Sequence, residues 1–263
     1  MAETKTATLN KPGWLDLSSQ DPAGSRDFYT KLFGWTVDIA DDPQYGGYGM
    51  FKVDGNEIAG VGAAMNPQQP TAWTVYVIVD DADAAVGRIQ QAGGNVIAPP
   101  FDVGDQGRMA IVSDPAGAVF GLWQGIKMFG WETYGVTGAV CWSELTSQDF
   151  AKAKPFYADV FGWVARDAAV STPDMQYTTF ALDAEDQQGF AGGMQAPPTM
   201  PAGTPSYWQA YFAVDNADAS AARAKELGGV VMVEPTDIPN TGRFAIIRDP
   251  QGGVFGVLQP LPM

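Results

Sequence analysis

A chain of 263 residues with 30 acidic and 15 basic side chains carries a formal charge of −15, and it has no histidine and a single cysteine. That charge disfavours a nucleic-acid or anionic-membrane surface. The missing histidine removes the commonest metal ligand and general base, and Cys141 alone can form neither an intrachain disulfide nor a thiolate cluster.

The first residues, M-A-E-T-K-T-A-T-L-N-K-P-G, lack the apolar stretch of a secretory signal. No apolar run approaches the ~20 residues of a bilayer span. A soluble, cytoplasmic protein is therefore expected. Residues 14–17 read as a short strand ended by S-S-Q-D. Asp21 stands where a helix cap belongs, with Pro22 at the first helical position. The helix carries Phe28, Tyr29, Leu32 and Phe33 at three- and four-residue spacing and stops at Gly34. Extended segments follow at 35–39, 48–53 and 58–63, the last two joined by D-G-N, a hairpin signal. The same order then recurs: a strand at 73–79, a helix in D-D-A-D-A-A-V-G-R-I-Q-Q-A-G-G, and strands at 95–98, 107–112 and 118–123.

The second half repeats the first. F-Y-T-K-L-F-G-W at 28–35 returns as F-Y-A-D-V-F-G-W at 156–163, and Trp14 and Trp142 are likewise 128 positions apart. Later the offset is 135, linking Trp73 to Trp208, Arg108 to Arg243 and Asp114 to Asp249. The chain thus reads as α+β, with four βαβββ modules in two tandem units at 8–125 and 136–260 and a linker at 126–135.

The two F-Y-x-x-x-F-G-W segments, the D-x-A-D-A helices and the two D-P-x-G turns, in this repeated order, resemble the vicinal oxygen chelate superfamily. That superfamily includes glyoxalase I, bleomycin-resistance proteins and extradiol dioxygenases. The tandem arrangement is similar to two-domain actinobacterial proteins, some known as 27 kDa antigens. The resemblance implies two glyoxalase-like half-barrels, each a sheet curled around a ligand cavity. It also implies metal-ligand positions, which fall on Trp14, Thr74 and Gly121 in the first unit and on Trp142, Gln209 and Gly256 in the second. Of these only Gln209 could ligate, so no metal and no other cofactor is expected.

Strand alternation then assigns the cup linings. In the first unit Trp14, Asp16, Thr74, Tyr76 and Trp123 point inward; in the second, Trp142, Glu144, Gln209 and Tyr211. Trp14 and Trp142 read equally well as packing that plugs the old metal pocket. Arg108 and Arg243, in matching G-R-[MF]-A-I segments, could clamp a ligand or pair with a structural acid. The expected function is metal-free binding of an aromatic or hydrophobic metabolite or antibiotic, with an amine suited to the carboxylates, for sequestration or hand-over to a partner enzyme. The alternative is a metal-independent lyase, isomerase or hydrolase acting on a reactive carbonyl compound, with Glu144 or Asp16 as base. A third is a structural or interaction protein.

Overall fold

The computed structural model describes residues 8–168, 176–186 and 188–261. Residues 1–7, on which the absence of a signal was partly read, lie outside that range. Strand β1 (Pro12–Ser19) buries Leu15 and Leu17 completely on one face. Helix α1 (Pro22–Phe33) starts at Asp21, whose carboxylate accepts from the Gly24 N–H at 3.0 Å, and ends at Gly34 with φ 72°. Strands β2 (Thr36–Ile39), β3 (Gly49–Val53) and β4 (Asn56–Ala63) complete the module. Asp54 and Gly55, both at positive φ, make the β3–β4 turn.

The second module runs β5 (Ala72–Ile78), α2 (Ala82–Gln91), β6 (Asn95–Val103), β7 (Gly107–Ser113) and β8 (Val119–Gly125). Strand β6 is longer than the expected 95–98. It continues through Pro99 and Pro100 by shifting register between Ala98 and Phe101. An outer strand tolerates this, because β6 pairs with β7 alone. The second half supplies β9 (Val140–Ser147), α3 (Phe150–Phe161), β10 (Val164–Asp167), β11 (Tyr177–Ala181) and β12 (Ala191–Gln195), then β13 (Tyr207–Ala213), α4 (Ala217–Glu226), β14 (Val230–Ile238), β15 (Gly242–Arg248) and β16 (Val254–Pro260).

Two curled sheets result. One has the order β2-β3-β4-β1-β5-β8-β7-β6, the other β10-β11-β12-β9-β13-β16-β15-β14, and the ends of the interior strands β8 and β13 meet at the single pair Tyr207 and Val119. The sheets separate by half, but the hydrophobic core does not. Helix α1 packs on α4 and α2 packs on α3. Phe28 and Tyr29 meet Phe255 of the other half at 6.3 and 5.3 Å; Phe120 meets Phe156 and Tyr157 at 6.3 and 5.9 Å.

Two buried polar chains pin this shared core. The Trp73 indole donates to the Tyr29 hydroxyl at 2.8 Å, which donates to Asp249 at 2.8 Å. In the mirror arrangement Trp208 donates to Tyr157 at 2.8 Å, and Tyr157 to Asp114 at 3.1 Å. Asp114 and Asp249 open the D-P-x-G turns and also accept from the backbone of Ala118 and Gly253. The turns are structural, as expected, and their carboxylates additionally join the halves. The repeated Trp35 and Trp163 cross over too, donating to the carbonyls of Gly138 at 2.8 Å and Asn10 at 2.5 Å.

Tyr29→Phe would leave a buried Asp249 oxygen and the Trp73 N–H without their partner. The expected loss is about 1–3 kcal/mol of unfolding free energy, read as a lower denaturant midpoint at unchanged slope. An unaltered midpoint would contradict the role assigned to these chains.

Candidate functional site

Register brings the floor of the first cup together. Asp16 on β1 lies beside Gly60 on β4 and Thr74 on β5; Trp14 lies beside Tyr76, and Tyr76 beside Gly121 on β8. A β-carbon at Gly121 would collide with the Tyr76 ring, and one at Gly60 with the Tyr48 hydroxyl. Glycine at these points is what admits the two phenols. The second cup repeats the device: Gly256 accommodates the Tyr211 ring and Gly192 the Tyr177 hydroxyl.

The carboxylates at the two floors are held differently. Glu144 accepts from Tyr177 at 2.8 Å on one oxygen and from Tyr211 at 3.0 Å on the other, while the Trp142 indole donates to Tyr177 at 2.8 Å. Burial raises the Glu144 pKa, and the two tyrosine hydrogen bonds oppose it. Asp16 is one methylene shorter. Tyr48 is its hydrogen-bonding neighbour and that of Trp14, but Asp16 Oδ1 is buried with no partner. Burial pushes the Asp16 carboxyl up to about 6, Tyr48 pulling in the other direction.

Above this floor the first cup opens into a cavity of about 900 Å³, ample for a drug-sized molecule. Its walls include the rings of Trp14, Tyr76 and Trp123, the thioethers of Met50, Met109 and Met128, and the carboxylates of Asp16, Glu57 and Glu132. The segment expected as a plain linker builds one wall. Trp131 is buried and its backbone N–H donates to the Gly13 carbonyl at 2.8 Å; Glu132 and Glu57 exchange hydrogen bonds at 2.8 Å; the Trp123 indole donates to the Met128 carbonyl at 2.8 Å. Burial and the Glu132 charge raise the Glu57 pKa, with Lys52 opposing.

The profile of the glyoxalase/bleomycin resistance protein/dioxygenase superfamily matches residues 11–122 and 140–256. The chain belongs to this superfamily. It is 42% identical over 256 residues, 95% of each chain, to the "Putative glyoxylase CFP32" of Mycobacterium tuberculosis. It is 39% identical over 265 residues, 94% of this chain and 92% of the relative, to the anthracycline biosynthesis protein DnrV of Streptomyces peucetius. The fold is shared with the Mn(II)-bound glyoxalase of Novosphingobium aromaticivorans, at a TM-score of 0.65 and 15% identity over 97% of this chain and 83% of that one. It is also shared with the 2,3-dioxygenase LapB of Pseudomonas sp. KL28, at 0.63 and 12% over 97% and 93%.

The metal site that this superfamily implies does not fit the residues present. Phenol rings occupy the space beside Gly121 and Gly256. Burial, with the neighbouring carboxylate, pushes the Tyr177 and Tyr211 phenols well up, so they remain neutral donors. Among the described residues no three His, Cys, Asp or Glu side chains come close enough together to hold one metal ion, whereas such a site needs about three protein ligands.

Of the residues expected at the first cup, Trp14, Asp16, Tyr76 and Trp123 line the cavity. Thr74 pairs with Asp16 in register but is not part of the wall. Trp142, Glu144 and Tyr211 gather with Tyr177 in the second cup. Gln209 is buried beside them, its amide donating to the Val254 carbonyl at 3.2 Å. Of the readings left open for the two arginines, the structure shows the pair with a structural acid and not the ligand clamp. Met109, next to Arg108, faces the cavity beside Trp123, which turns Arg108 to the helix side, where it pairs with Asp83 and Asp102 at 2.7 Å. Arg243 pairs in the same way with Asp218 at 2.7 Å and Asp237 at 2.9 Å. Cys141 is mostly enclosed, and burial pushes its thiol up to about 12.

The raised Asp16 carboxyl has a consequence for stability. Its folded pKa of about 6 exceeds the ordinary 3.8, so the native state is favoured in full below pH ~4 and loses that contribution as pH rises through ~6. Asp16→Asn, neutral throughout, should therefore be more stable than the natural chain at pH 7.5. The gain should reach about 2 kcal/mol, allowing for the part of the side chain facing cavity water, and vanish near pH 4. Urea titrations at the two pH values would show it; an equal offset at both would contradict it.

Proposed function

We propose that the first cup binds a planar aromatic small molecule carrying a basic amine, without help from a metal. The observation that carries this reading is the cavity itself, with aromatic and thioether walls and three carboxylates. Ring faces offer stacking area and attract cations, and methionines adapt to irregular ligands. Carboxylates in a partly enclosed site favour a cation more strongly than they would in open water. The net charge of −15 helps to collect such a molecule. The name of one relative, an anthracycline biosynthesis protein, supports a polycyclic aromatic ligand. The bound molecule would be sequestered, or handed to a partner enzyme, in the soluble phase. No helix among the described residues is long and apolar enough to cross a membrane.

One observation favours a second reading, metal-independent catalysis on a reactive carbonyl compound. Asp16 combines an unpartnered oxygen with a pKa of about 6, which suits a general base. Glu144, the other candidate base, has both oxygens engaged by tyrosines. In that reading turnover rises as pH passes ~6 and is lost in Asp16→Asn.

Tryptophan fluorescence with two probes tests the binding reading. At pH 7.5, 2-naphthylmethylammonium should quench saturably and bind on the order of ten-fold more tightly than 2-naphthoate, with the difference shrinking in high salt. Equal affinities, or no saturable quenching by either, would contradict it.

A further inference from the structure

The duplication supplies an internal comparison. In the second cup a carboxylate and two phenols satisfy one another: Tyr177 and Tyr211 donate to the two oxygens of Glu144 at 2.8 and 3.0 Å. Register places Tyr76 beside Trp14 and Gly121 in the first cup as it places Tyr211 beside Trp142 and Gly256 in the second. Yet Tyr76 senses Asp16 only through its charge, with no hydrogen bond to it. Asp16 Oδ1 is correspondingly without a partner. Aspartate is shorter than the matching glutamate by one methylene, which sets the acceptor back and leaves a gap between two polar groups. Both groups line the 900 Å³ cavity. Unpaired polar groups in an enclosed site are costly unless something completes them.

Resting on the reading of the first cup as a ligand site, we propose that Asp16 and Tyr76 form a two-point seat for a hydroxyl group of the aromatic ligand. The Tyr76 hydroxyl donates to the ligand oxygen, and the ligand hydroxyl donates to the Asp16 carboxylate. A hydroxyl completes both partners because it accepts and donates at once. A carbonyl would take the Tyr76 proton and leave Asp16 unpaired. A carboxylate would be repelled. An ammonium would serve Asp16 but leave the Tyr76 proton unused, and it is better placed against Glu57 and Glu132 elsewhere in the wall. The aspartate χ2 torsion is soft, so its carboxyl can turn the orphan oxygen toward the gap. The longer Glu144 fills the equivalent gap from within, so the two cups differ in what they can recognise.

The seat also sets a pH dependence. The phenols of Tyr48 and Tyr76 face Asp16, and Glu57, Glu132 and Lys127 share the cavity wall. A donating ligand favours ionised Asp16, so its affinity is full above pH ~6 and falls as pH drops through that value. An apolar analogue reports what the other groups contribute.

Calorimetric titration of the full chain with 2-naphthol and 2-methylnaphthalene tests the seat. The natural chain should prefer 2-naphthol by about ten-fold or more at pH 7.5, with the preference shrinking at pH 5. Tyr76→Phe should bring the ratio of affinities within about three-fold. So should Asp16→Glu, whose longer side chain reaches Tyr76 as Glu144 reaches Tyr211. Tyr76→Phe removes a single oxygen and carries the test should Asp16→Glu fold poorly. A preference that survives both substitutions overturns the seat. Equal binding of the two probes to the natural chain overturns the seat and leaves the aromatic-ligand reading standing. Binding of neither overturns the seat, and failure of 2-naphthylmethylammonium to quench as well overturns both.

Discussion

A tyrosine ring and a β-carbon cannot occupy the same place on neighbouring strands, and the floor of each cup is built on that exclusion. Gly60 and Gly121 in the first cup, and Gly192 and Gly256 in the second, make room for Tyr48, Tyr76, Tyr177 and Tyr211. The positions that the resemblance assigns to metal ligands carry an indole, a threonine and a glycine in the first cup and an indole, Gln209 and a glycine in the second, and phenols take the space beside the two glycines. What the phenols surround is one carboxylate per cup. Neutral donors around a buried acid make a hydrogen-bonding centre, with chemistry quite unlike that of a coordinated divalent ion.

The two centres have diverged by one methylene. Glu144 reaches both of its tyrosines and forms a closed polar cluster; Asp16, at the floor of a large cavity, reaches one neighbour and keeps one oxygen buried without a partner. A buried acid with an open valence is a local cost, and such costs are tolerated at working sites when the surroundings hold them in place. Here the second half does the holding. Its helices and strands share one aromatic core with the first half, and the Trp73–Tyr29–Asp249 and Trp208–Tyr157–Asp114 chains tie the halves reciprocally. The closed cup is thereby tied to the open one through a shared core.

Much of the fold was legible because its signals are local. Asp21, Pro22 and Gly34 mark helix ends by their own backbone chemistry, and the repeated F-G-W segments exposed the duplication. Strand alternation placed Trp14, Asp16, Tyr76 and Trp123 on the inner face because period two needs no knowledge of partners. Tyr48, Glu57, Met128 and Glu132 were not found. Tyr48 reads in the sequence as the first residue of a strand that starts at Gly49, and its aim depends on the gap at Gly60 on a different strand. A search for tyrosines that recur opposite glycine-rich strands would have flagged both Tyr48 and Tyr177. Met128 and Glu132 lie in a stretch without periodicity, whose folding back over the cup depends on long-range contacts such as Trp131 to Gly13. Pro99 and Pro100 looked like a strand end; an outer position made them harmless. Arg108 could be assigned to a face only once its register with Gln124 was known.

The account turns on the claim that hydrogen-bonding phenols have replaced metal coordination at both floors. Its most direct test is titration of the chelator-treated, folded chain with Mn²⁺, Ni²⁺ and Zn²⁺, followed by elemental analysis after gel filtration. The account predicts no retained metal at or near one equivalent per chain. Stoichiometric retention that disappears in Asp16→Asn or Glu144→Gln would contradict it.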